Sequence, residues 1–494
     1  MEGVKGKTLG EVDRSRQFDR TLKSDKITGI AGDVVEQSVF GYERDSDQEC
    51  DIEIDGVLTE LKTTGVRVPK SLLKNARGKT GAAYNVFLGA KEGITITNVT
   101  FDPTIQTVFD TSHFWEKSQH LLIVFYEYRS YEVVPASGYK SFPIVDYCYN
   151  SFSSDEKAKL QNDWEIVRDY LQAVYDECHD TCERNERLVG FTHVLRPQLL
   201  LIELVPGFKR RASGNYQRPR YKLKKTFVDY IVRGHFDKSR ACSEIVLKEP
   251  FSSFAQLDAR CHALTLLYKG KTLQELKQEL GIEGAMKNVA AQCVIRMFGT
   301  SCKRLNQISD FTKAGIIAKT ITMTPRDGRT EDMKLSHIDF EEWADRDADF
   351  EDSEVYSYFC EHSFLCPVFC EHDVKDPDKT TFEGFKRFAF DEEFIETEVR
   401  RTWDDSRRLI HQNELEWEYL YDDQGRKRRN GSGAYMGAPN FPKSSGYKVF
   451  FRGGADVSNE ESRTECVNGI RMLPQFFWLK GTYIANKLKE ISYI

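Results

Sequence analysis

Two carboxylates and a lysine lie in a short segment whose pattern predicts a β-hairpin. Residues 50–62 read CDIEIDGVLTELK, and the Asp-Gly pair at 55–56 is a strong signal for a two-residue turn. With this turn Asp51 faces Glu60, and opposed Cβ atoms in a hairpin lie only about 4.5–5.5 Å apart. Because side chains alternate along a strand, Lys62 shares this face with Glu60. Two carboxylates and an ammonium group therefore converge.

Such a cluster suits metal-assisted hydrolysis. Two close carboxylates repel each other unless a cation lies between them, and hard oxygen ligands suit Mg²⁺. Lys62 beside the metal is placed to orient or deprotonate an attacking water, or to neutralise charge in a phosphoryl transition state. Taken alone, so short a pattern is more often a solvated hairpin face. Asp47 and Asp55 are rival carboxylates, but Asp55 sits in the turn and Asp47 lacks the register.

Composition limits the classes of function. The chain of 494 residues carries a net charge of −7, so a nucleic-acid surface must be a local patch. Two basic stretches, residues 206–225 and 426–452, contain no acid, whereas residues 339–354 hold nine acids and one arginine. The aromatic and glycine residues within both basic stretches favour phosphate backbones as partners. We find no apolar run of membrane-spanning length and no secretory signal, and the 12 scattered cysteines indicate reduced thiols, so we expect a cytoplasmic protein without membrane contact.

The chain is predicted to be a degenerate duplicate. GKTLGEV at 6–12 recurs as GKTLQEL at 270–276, and five looser matches follow in the same order at offsets of roughly 240–264 residues. We therefore predict two homologous mixed α/β domains, residues 1–238 and 239–494, each with a central mixed β-sheet flanked by helices. Apolar runs such as HLLIVFYEY and FLCPVF predict the buried strands.

The first half resembles a known family. Its Asp…Glu-x-Lys pattern is similar to that of the PD-(D/E)xK nucleases, and GDVVEQSVFG followed by DIEIDGVLTELKT resembles the MutH mismatch-repair and Sau-type GATC-cutting type II restriction endonucleases. TSHFWEK, the Asn162–Glu165 segment and the late YKLKKTF also resemble family landmarks. The family spacing is usually Asp-x₆-Glu, and the two extra residues here preserve the facing parity.

The resemblance implies a restriction-endonuclease-like fold and a Mg²⁺-dependent enzyme that cleaves double-stranded DNA at a short palindrome, GATC in the family. It implies Asp51, Glu60, Glu36, Lys62 and Lys117 as catalytic residues, with Asp51, Glu60, Leu61 and Glu36 as metal ligands. It implies DNA contacts from Lys209, Arg210, Arg211, Arg218, Tyr221, Lys222, Lys224 and Lys225. We expect a bacterial monomer that can dimerise on DNA, with a cognate methyltransferase in the same system but not as a binding partner.

The second copy of the site is predicted to be inactive. Asp310 and Lys319 keep the family spacing, but Ile317 replaces Glu60 and Gln292 replaces Glu36. A site left with one carboxylate should bind Mg²⁺ poorly. The second half is therefore expected to be a pseudo-nuclease that acts as an allosteric DNA-binding effector, with the alternative that it only enlarges the DNA footprint.

The sequence leaves two alternatives to a restriction endonuclease and one alternative to Mg²⁺ as the bound metal. A MutH-type nickase is a single domain, and a non-catalytic DNA-binding regulator would not need the intact carboxylate–lysine set. Residues 360–372 contain three cysteines and two histidines at spacings that suggest zinc. The repeat places them on a buried strand, where cysteine acts as a small apolar residue, so we do not expect zinc there.

Overall fold

A computed structural model of the protein describes most of the chain. The described residues are 1–24, 27, 29–42, 51–69, 72–99, 108–130, 134–188, 191–205, 219–238, 247–283, 288–326, 328–329, 331–346, 348–351, 353–431, 433–455 and 459–494. The predicted mixed α/β class is confirmed. Among the described helices, none combines the length and the apolar character needed to cross a membrane.

The first half contains eight described strands and nine described α-helices. The strands are β1 (Ile52–Ile54), β2 (Val57–Arg67), β3 (Gly89–Ala90), β4 (Ile94–Asn98), β5 (His120–Glu127), β6 (Ile144–Ser151), β7 (Ile202–Val205) and β8 (Arg220–Leu223). The helices are α1 (Leu9–Val12), α2 (Ile30–Val34), α3 (Leu73–Ala76), α4 (Ala82–Asn85), α5 (His113–Ser118), α6 (Ser154–Glu177), α7 (Thr181–Leu188), α8 (Phe191–Leu195) and α9 (Lys225–Phe236). A π-helix, Val35–Phe40, continues α2.

The central sheet of the first half has the order β1-β2-β5-β6, with β3 on the far end of β2. β2 and β5 run parallel, whereas β1 and β6 run antiparallel to their neighbours. β5 is buried almost throughout because helices cover both faces of the sheet, which explains its continuous apolar sequence. A second small sheet has the order β4-β8-β7.

The second half contains eleven described strands and nine described α-helices. The strands are β9 (Ile316–Ala318), β10 (Ile321–Met323), β11 (Met333–His337), β12 (Ser363–Cys370), β13 (Thr381–Ala389), β14 (Trp417–Tyr419), β15 (Gly437–Pro439), β16 (Val449–Gly453), β17 (Glu465–Val467), β18 (Ile470–Met472) and β19 (Gln475–Leu479). The helices are α10 (Phe254–Tyr268), α11 (Leu273–Glu279), α12 (Val289–Met297), α13 (Ser309–Lys313), α14 (Phe340–Ala344), α15 (Glu354–Glu361), α16 (Glu392–Phe394), α17 (Arg400–His411) and α18 (Gly481–Glu490). A π-helix, Ile395–Val399, joins α16 to α17.

The two halves repeat one connectivity. β9 and β10 run parallel to β12, and β12 pairs antiparallel with β13, as β2, β5 and β6 do in the first half. The sheet β11-β19-β16 corresponds to β4-β8-β7. Even single hydrogen bonds recur: the N–H of Gly6 donates to Ile144 O, and that of Gly270 to Phe382 O, both at 2.8 Å. The duplication is therefore structural. The boundary at residue 238 stays a prediction, because residues 239–246 lie outside the described part.

The apolar core forms three clusters. One lies between the N-terminal helices and one face of the first sheet, and another lies inside the second half around Trp343 and Trp403. The third begins on the other face of the first sheet, at Ile123 and Trp164, and continues to Phe385 of the second half. Because this cluster includes residues of both halves, each half buries apolar surface against the other.

Asp163 fixes the entry to β7. Its carboxylate is fully buried on α6 and accepts hydrogen bonds from the backbone N–H groups of Leu200, Leu201 and Ile202 at 2.8, 2.7 and 2.9 Å. These donors would otherwise be buried without partners. The landmark segment around Trp164 thus has a structural reason: it anchors the strand that precedes the first basic stretch.

We predict that Asp163→Ala lowers the free energy of unfolding by about 3 kcal/mol or more, because three buried N–H donors lose their acceptor. Urea denaturation followed by circular dichroism measures the change. Asp176→Ala, on the exposed face of the same helix, is the control and should change stability by less than about 0.5 kcal/mol. Equal effects of the two substitutions would contradict the anchoring role.

Candidate active site

The hairpin that carries the predicted carboxylates has the predicted register. Ile52 pairs with Thr59 and Ile54 with Val57, which places Asp51 beside Glu60 at the open end. Asp55 and Gly56 both have positive φ, at 50° and 81°, as the two-residue turn requires. The register argument is confirmed for the described residues. Asp47, the rival carboxylate, lies outside them.

Glu60 is held between two lysines. Its side chain is buried, and Oε1 accepts from Lys62 Nζ at 2.5 Å while Oε2 accepts from Lys117 Nζ at 2.7 Å. Lys117 lies on α5, immediately before β5, and is itself buried. A buried carboxylate is costly without partners, and here both of its oxygens have an ammonium partner. The structure therefore brings together the three residues predicted from two separate motifs.

Asp51 completes the cluster at its more exposed side. Its Oδ2 accepts from the backbone N–H of Leu61 at 2.8 Å, and its Oδ1 lies 4.0 Å from Lys117 Nζ. Burial raises the pKa of Asp51, and repulsion from Glu60 adds to this rise. Leu61 thus contributes a backbone donor to Asp51, and its proposed role as a metal ligand stays a prediction.

Glu36 approaches from the π-helix Val35–Phe40. A Cβ added to Gly32 of α2 would lie 3.8 Å from Glu36 Oε1 and 3.6 Å from Thr63 Oγ1 of β2. The Glu36 carboxylate therefore lies close to β2. Burial raises the pKa of Glu36, and the charge of Asp51 raises it further. The Glu36 carboxylate therefore lies within the electrostatic influence of Asp51, and its role as a metal ligand stays a prediction. π-Helical turns are rare and occur frequently at functional sites.

The donor set fits a hard divalent cation. Glu36, Asp51 and Glu60 carry three negative charges when ionised, and Lys62 and Lys117 carry two positive charges, which leaves −1. The raised pKa values of Asp51 and Glu36 reflect first their burial and then repulsion from the neighbouring carboxylates. A divalent ion relieves that repulsion and turns the net charge positive, which favours an approaching phosphate.

The corresponding place in the second half has an apolar residue where the first half has Glu60. Ile317 pairs with Phe364 in the register in which Glu60 pairs with Leu121, so Ile317 does stand in the place of Glu60. Two residues further, Lys319 stands in the place of Lys62, and burial lowers its pKa.

Asp310 is not the counterpart of Asp51, contrary to the sequence prediction. The N–H of Ala318 donates to Asn306 Oδ1 at 2.9 Å, just as that of Leu61 donates to Asp51, so Asn306 holds this place. Asp310 instead is buried on α13, where it accepts from Lys159 Nζ of the first half at 3.1 Å. The sequence prediction chose Asp310 because of its spacing from Lys319. Asn306 is identified by its hydrogen bond to the strand, which the spacing of residues in the sequence does not reveal.

Gln292 lies on α12, and its Nε2 donates to Lys303 O at 3.0 Å, just before the turn that carries Asn306. The second site thus has amides at two of the three carboxylate places and an apolar residue at the third. Neutral amides and Ile317 offer a hard cation far less than three carboxylates do. The second site therefore has fewer carboxylates than the sequence indicated, and its loss of metal binding stays a prediction.

Half of the predicted DNA-contact residues lie outside the described part: Lys209, Arg210, Arg211 and Arg218. The predicted DNA contacts of Tyr221 and Lys224 are wrong, because both side chains are buried. Lys224 Nζ donates to Leu199 O at 2.6 Å, and burial lowers its pKa. Both side chains support the fold rather than offer a surface to a phosphate.

Lys222 and Lys225 are partly exposed and already have acidic neighbours. Lys222 Nζ lies 3.2 Å from Glu203 Oε2, and Lys225 Nζ lies 3.6 Å from Glu354 Oε1 of the second half. A phosphate contact by either lysine would have to compete with these carboxylates. Both stay candidates for DNA contact, Lys222 on β8 and Lys225 at the start of α9.

Comparison with known proteins agrees with this site. The family described as "DNA mismatch repair enzyme MutH" matches residues 40–163, a span that includes Asp51, Glu60, Lys62 and Lys117. The first half of the chain is thus similar to the MutH class of nucleases over the segment that carries the candidate site.

Over a longer span, the chain is 26% identical to the type II restriction enzyme Sau3AI of Staphylococcus aureus. The match covers 422 residues, 81% of this chain and 76% of that enzyme. The resemblance to the MutH and Sau-type endonucleases is therefore confirmed: the chain is similar to the MutH family over residues 40–163 and to a type II restriction enzyme over 81% of its length.

We predict that Asp51→Asn raises the free energy of unfolding, measured in a metal chelator, by on the order of 1 kcal/mol. The substitution removes one charge from a crowded carboxylate group but keeps an oxygen that accepts from Leu61 N–H. Chemical denaturation provides the measurement, and Asp55→Asn in the exposed turn is the matched control without effect. A marked loss of stability in Asp51→Asn would contradict the electrostatic account.

Proposed function

We propose that the protein is a Mg²⁺-dependent type II restriction endonuclease that hydrolyses both strands of DNA at a short palindrome, GATC. The observation that carries the proposal is the buried Glu60 carboxylate between Lys62 and Lys117, next to Asp51 on one hairpin. A purely structural carboxylate would need one cationic partner, and the crowding with Asp51 and Glu36 would then only destabilise the fold.

Each residue receives a role from its position. Asp51, Glu60 and Glu36, with Leu61 of the same strand, would hold Mg²⁺, which when bound polarises the scissile phosphate and a water molecule. Lys62 is the more exposed of the two lysines, at 20% against 9%, so it is the one that orients the attacking water and stabilises the transition state. Lys117 holds Glu60 from behind and adds positive charge at the same place.

The domain assignment follows the repeat. Residues 1–238 form the catalytic domain and residues 239–494 a pseudo-nuclease domain that binds a second DNA duplex as an allosteric effector. Neutral Asn306, Ile317 and Gln292 in its degenerate site support the absence of cleavage there.

An exposed hairpin of the second half supports DNA binding there. Two bridges, Tyr421 with Lys427 and Arg429 with Tyr435, extend the β14–β15 pair. Lys427 Nζ lies 3.6 Å from the ring centroid of Tyr419, and the Arg429 guanidinium lies 3.9 Å from that of Tyr435. This basic hairpin (residues 417–439) combines cations with exposed aromatic rings, the combination that binds phosphates and bases. The basic hairpin lies before β16 in the chain, whereas the basic stretch of the first half lies after β7, the counterpart of β16. The two basic surfaces therefore occupy different places in the repeat.

Two alternatives are less well supported. A nicking enzyme of the MutH type would use one catalytic domain, and the second half here retains the whole repeated fold. A non-catalytic regulator would not retain Glu60 with both lysines.

The recognition of GATC rests on the family resemblance and on the basic residues 209–211, with arginine or lysine pairing to guanine in the major groove. Sequencing the ends of cleaved plasmid tests the target directly.

We predict that Asp51→Ala, Glu60→Ala and Lys62→Ala each reduce cleavage by at least about 10²-fold but leave specific DNA binding largely intact. The reason is that these groups hold the metal and the water, whereas other surfaces hold the duplex. Plasmid cleavage in Mg²⁺ and gel-shift titration without divalent ions provide the two measurements. Glu53→Ala, an exposed acid on β1, is the matched control. Near wild-type cleavage by Glu60→Ala would show that the active site lies elsewhere.

We predict that a short uncleavable duplex with the target sequence activates cleavage of a single-site substrate, and that neutralising the basic hairpin removes this activation. The variant is Lys427→Ala with Arg428→Ala and Arg429→Ala, because truncation after residue 238 would expose the core that the halves share. An effector site can shift the enzyme toward a cleaving state only if it binds that state more tightly.

The matched control replaces exposed lysines remote in sequence, Lys375→Ala with Lys489→Ala, and should retain activation. Initial rates are measured over a series of duplex concentrations. Simple competitive inhibition of the unmodified enzyme at all concentrations would contradict the effector role and favour a second half that only enlarges the DNA footprint.

A further inference from the structure

We propose that Cys370, His372 and Glu383 form a binding site for a soft divalent transition metal, of which Zn²⁺ is the most common in proteins. The site lies where β12 ends and β13 begins, in the second half, and it is separate from the nuclease site of the first half. The sequence pattern of residues 360–372 favours a buried strand without a metal, and it does not include Glu383.

Strand pairing brings the three side chains together. Cys370 pairs with Thr381 across the β12–β13 ladder, and Glu383 lies two residues beyond Thr381, on the same face. His372 follows Cys370 by two residues. One ligand atom from each of the three lies within 4.8 Å of the others, and Cys370 Sγ is 4.0 Å from His372 Nδ1.

A tetrahedral zinc with ordinary bond lengths would hold a sulfur and a nitrogen about 3.6 Å apart. The 4.0 Å observed between Cys370 and His372 therefore needs a movement of only about 0.4 Å by side chains that are partly or fully exposed.

The hydrogen bonds fix the histidine in the form that binds metal. Thr381 Oγ1 lies 2.6 Å from Glu383 Oε1 and 2.9 Å from His372 Nε2. An ionised carboxylate only accepts, so the single hydroxyl hydrogen of Thr381 is donated to Glu383. His372 Nε2 must then be the donor to Thr381, which leaves the Nδ1 lone pair of the neutral ring directed toward Cys370.

This is the arrangement by which a neighbouring group orients a metal-bound histidine. Thr381 connects two of the proposed ligands, because it accepts from His372 and donates to one oxygen of Glu383. The second oxygen of Glu383 remains available as the ligand. On binding, the metal replaces the proton of the Cys370 thiol, which is released to solvent.

The neighbouring cysteines and histidine behave differently. Cys360 and Cys366 are buried, and burial raises the pKa of each thiol to about 12. His362 is partly buried: its Nδ1 lies 2.8 Å from Tyr358 O, and burial lowers its pKa to about 4. Cys360 and Cys366 belong to the apolar core, and the His362 ring is directed to the Tyr358 carbonyl. Within the part of the chain that the structure describes, Cys370 and His372 are the members of that segment that cluster with a carboxylate outside it.

A thiolate, an imidazole and a carboxylate are a donor set for zinc or cobalt and not for Mg²⁺, which prefers oxygen. Three protein ligands leave one position of a tetrahedron for water or a further ligand. Thr381 also forms a backbone bridge with Thr272, at the start of α11. A bound metal would therefore fasten the end of β12 to β13 and, through β13, to α11.

The test is a Co²⁺ titration of the reduced full-length protein, followed by absorption. Cobalt bound at the nuclease site has oxygen ligands, so only a cysteine ligand produces thiolate-to-cobalt charge transfer in the near ultraviolet. We expect this band to saturate at an intensity that corresponds to one thiolate-bound cobalt per chain, to vanish in Cys370→Ser and to persist in Cys466→Ser, which changes an exposed cysteine on β17. A wild-type protein without the band, or a band unchanged in Cys370→Ser, would overturn the site.

A second measurement addresses the orientation of His372. Zinc affinity, from competition with a chromophoric chelator, should fall about 10–100-fold in Thr381→Val and remain near wild type in Thr381→Ser, which keeps the hydroxyl. Unchanged affinity in Thr381→Val would overturn the arrangement. Because neither measurement uses DNA cleavage, failure here leaves the proposed nuclease function untouched, and the converse also holds.

Discussion

The Glu60 carboxylate depends on two ammonium groups, and much of the first half is arranged to supply them. Lys62 comes from the same strand, two residues away, so the pleat of β2 alone places it. Lys117 comes from α5 and reaches Glu60 only because α5 leads directly into β5, the parallel neighbour of β2. The parallel pairing of β2 and β5 is thus the constraint that makes the buried carboxylate tolerable, and helices must cover both faces to keep such a pair dry.

The second half preserves this constraint without its chemistry. β9 pairs with β12 in the register of β2 with β5, and the strand backbone is held at the same point by a side-chain oxygen, from Asn306 instead of Asp51. Replacing Glu60 by Ile317 removes the buried charge, so no pair of lysines is needed there. The fold survives because backbone pairing and the Asn306 hydrogen bond do not require ionised groups.

How far the sequence predicted the structure depended on the range of the interaction. The hairpin register followed from the turn and from strand parity, both local, and the α5 lysine followed from a motif. The assignment of Asp310 was wrong because the loop between Asn306 and β9 is longer than its counterpart, and spacing carries no information about which side chain turns back to the strand. The predicted DNA contacts of Tyr221 and Lys224 were wrong for a related reason. A run of basic and aromatic residues does not show in sequence which side chains face solvent and which, like Lys224 with Leu199 O, are buried in the fold. The metal-ligating role proposed for Glu383 needed the pairing of β12 with β13, which is contact between segments that no short pattern joins.

Contacts between the halves begin at the elements that carry the site. β2, which holds Glu60 and Lys62, ends at Arg67, and Arg67 forms an ion pair with Glu354 at the start of α15. Lys159 of α6 contacts Asp310 in the same way, and Lys313 Nζ lies 2.9 Å from Glu156 Oε1. Separating a buried pair such as Lys159–Asp310 would leave charges without partners, so the halves resist independent movement. If a duplex binds the second half as proposed, it would influence cleavage by favouring one arrangement of these contacts, and Arg67 connects the second half to β2, the strand that carries Lys62.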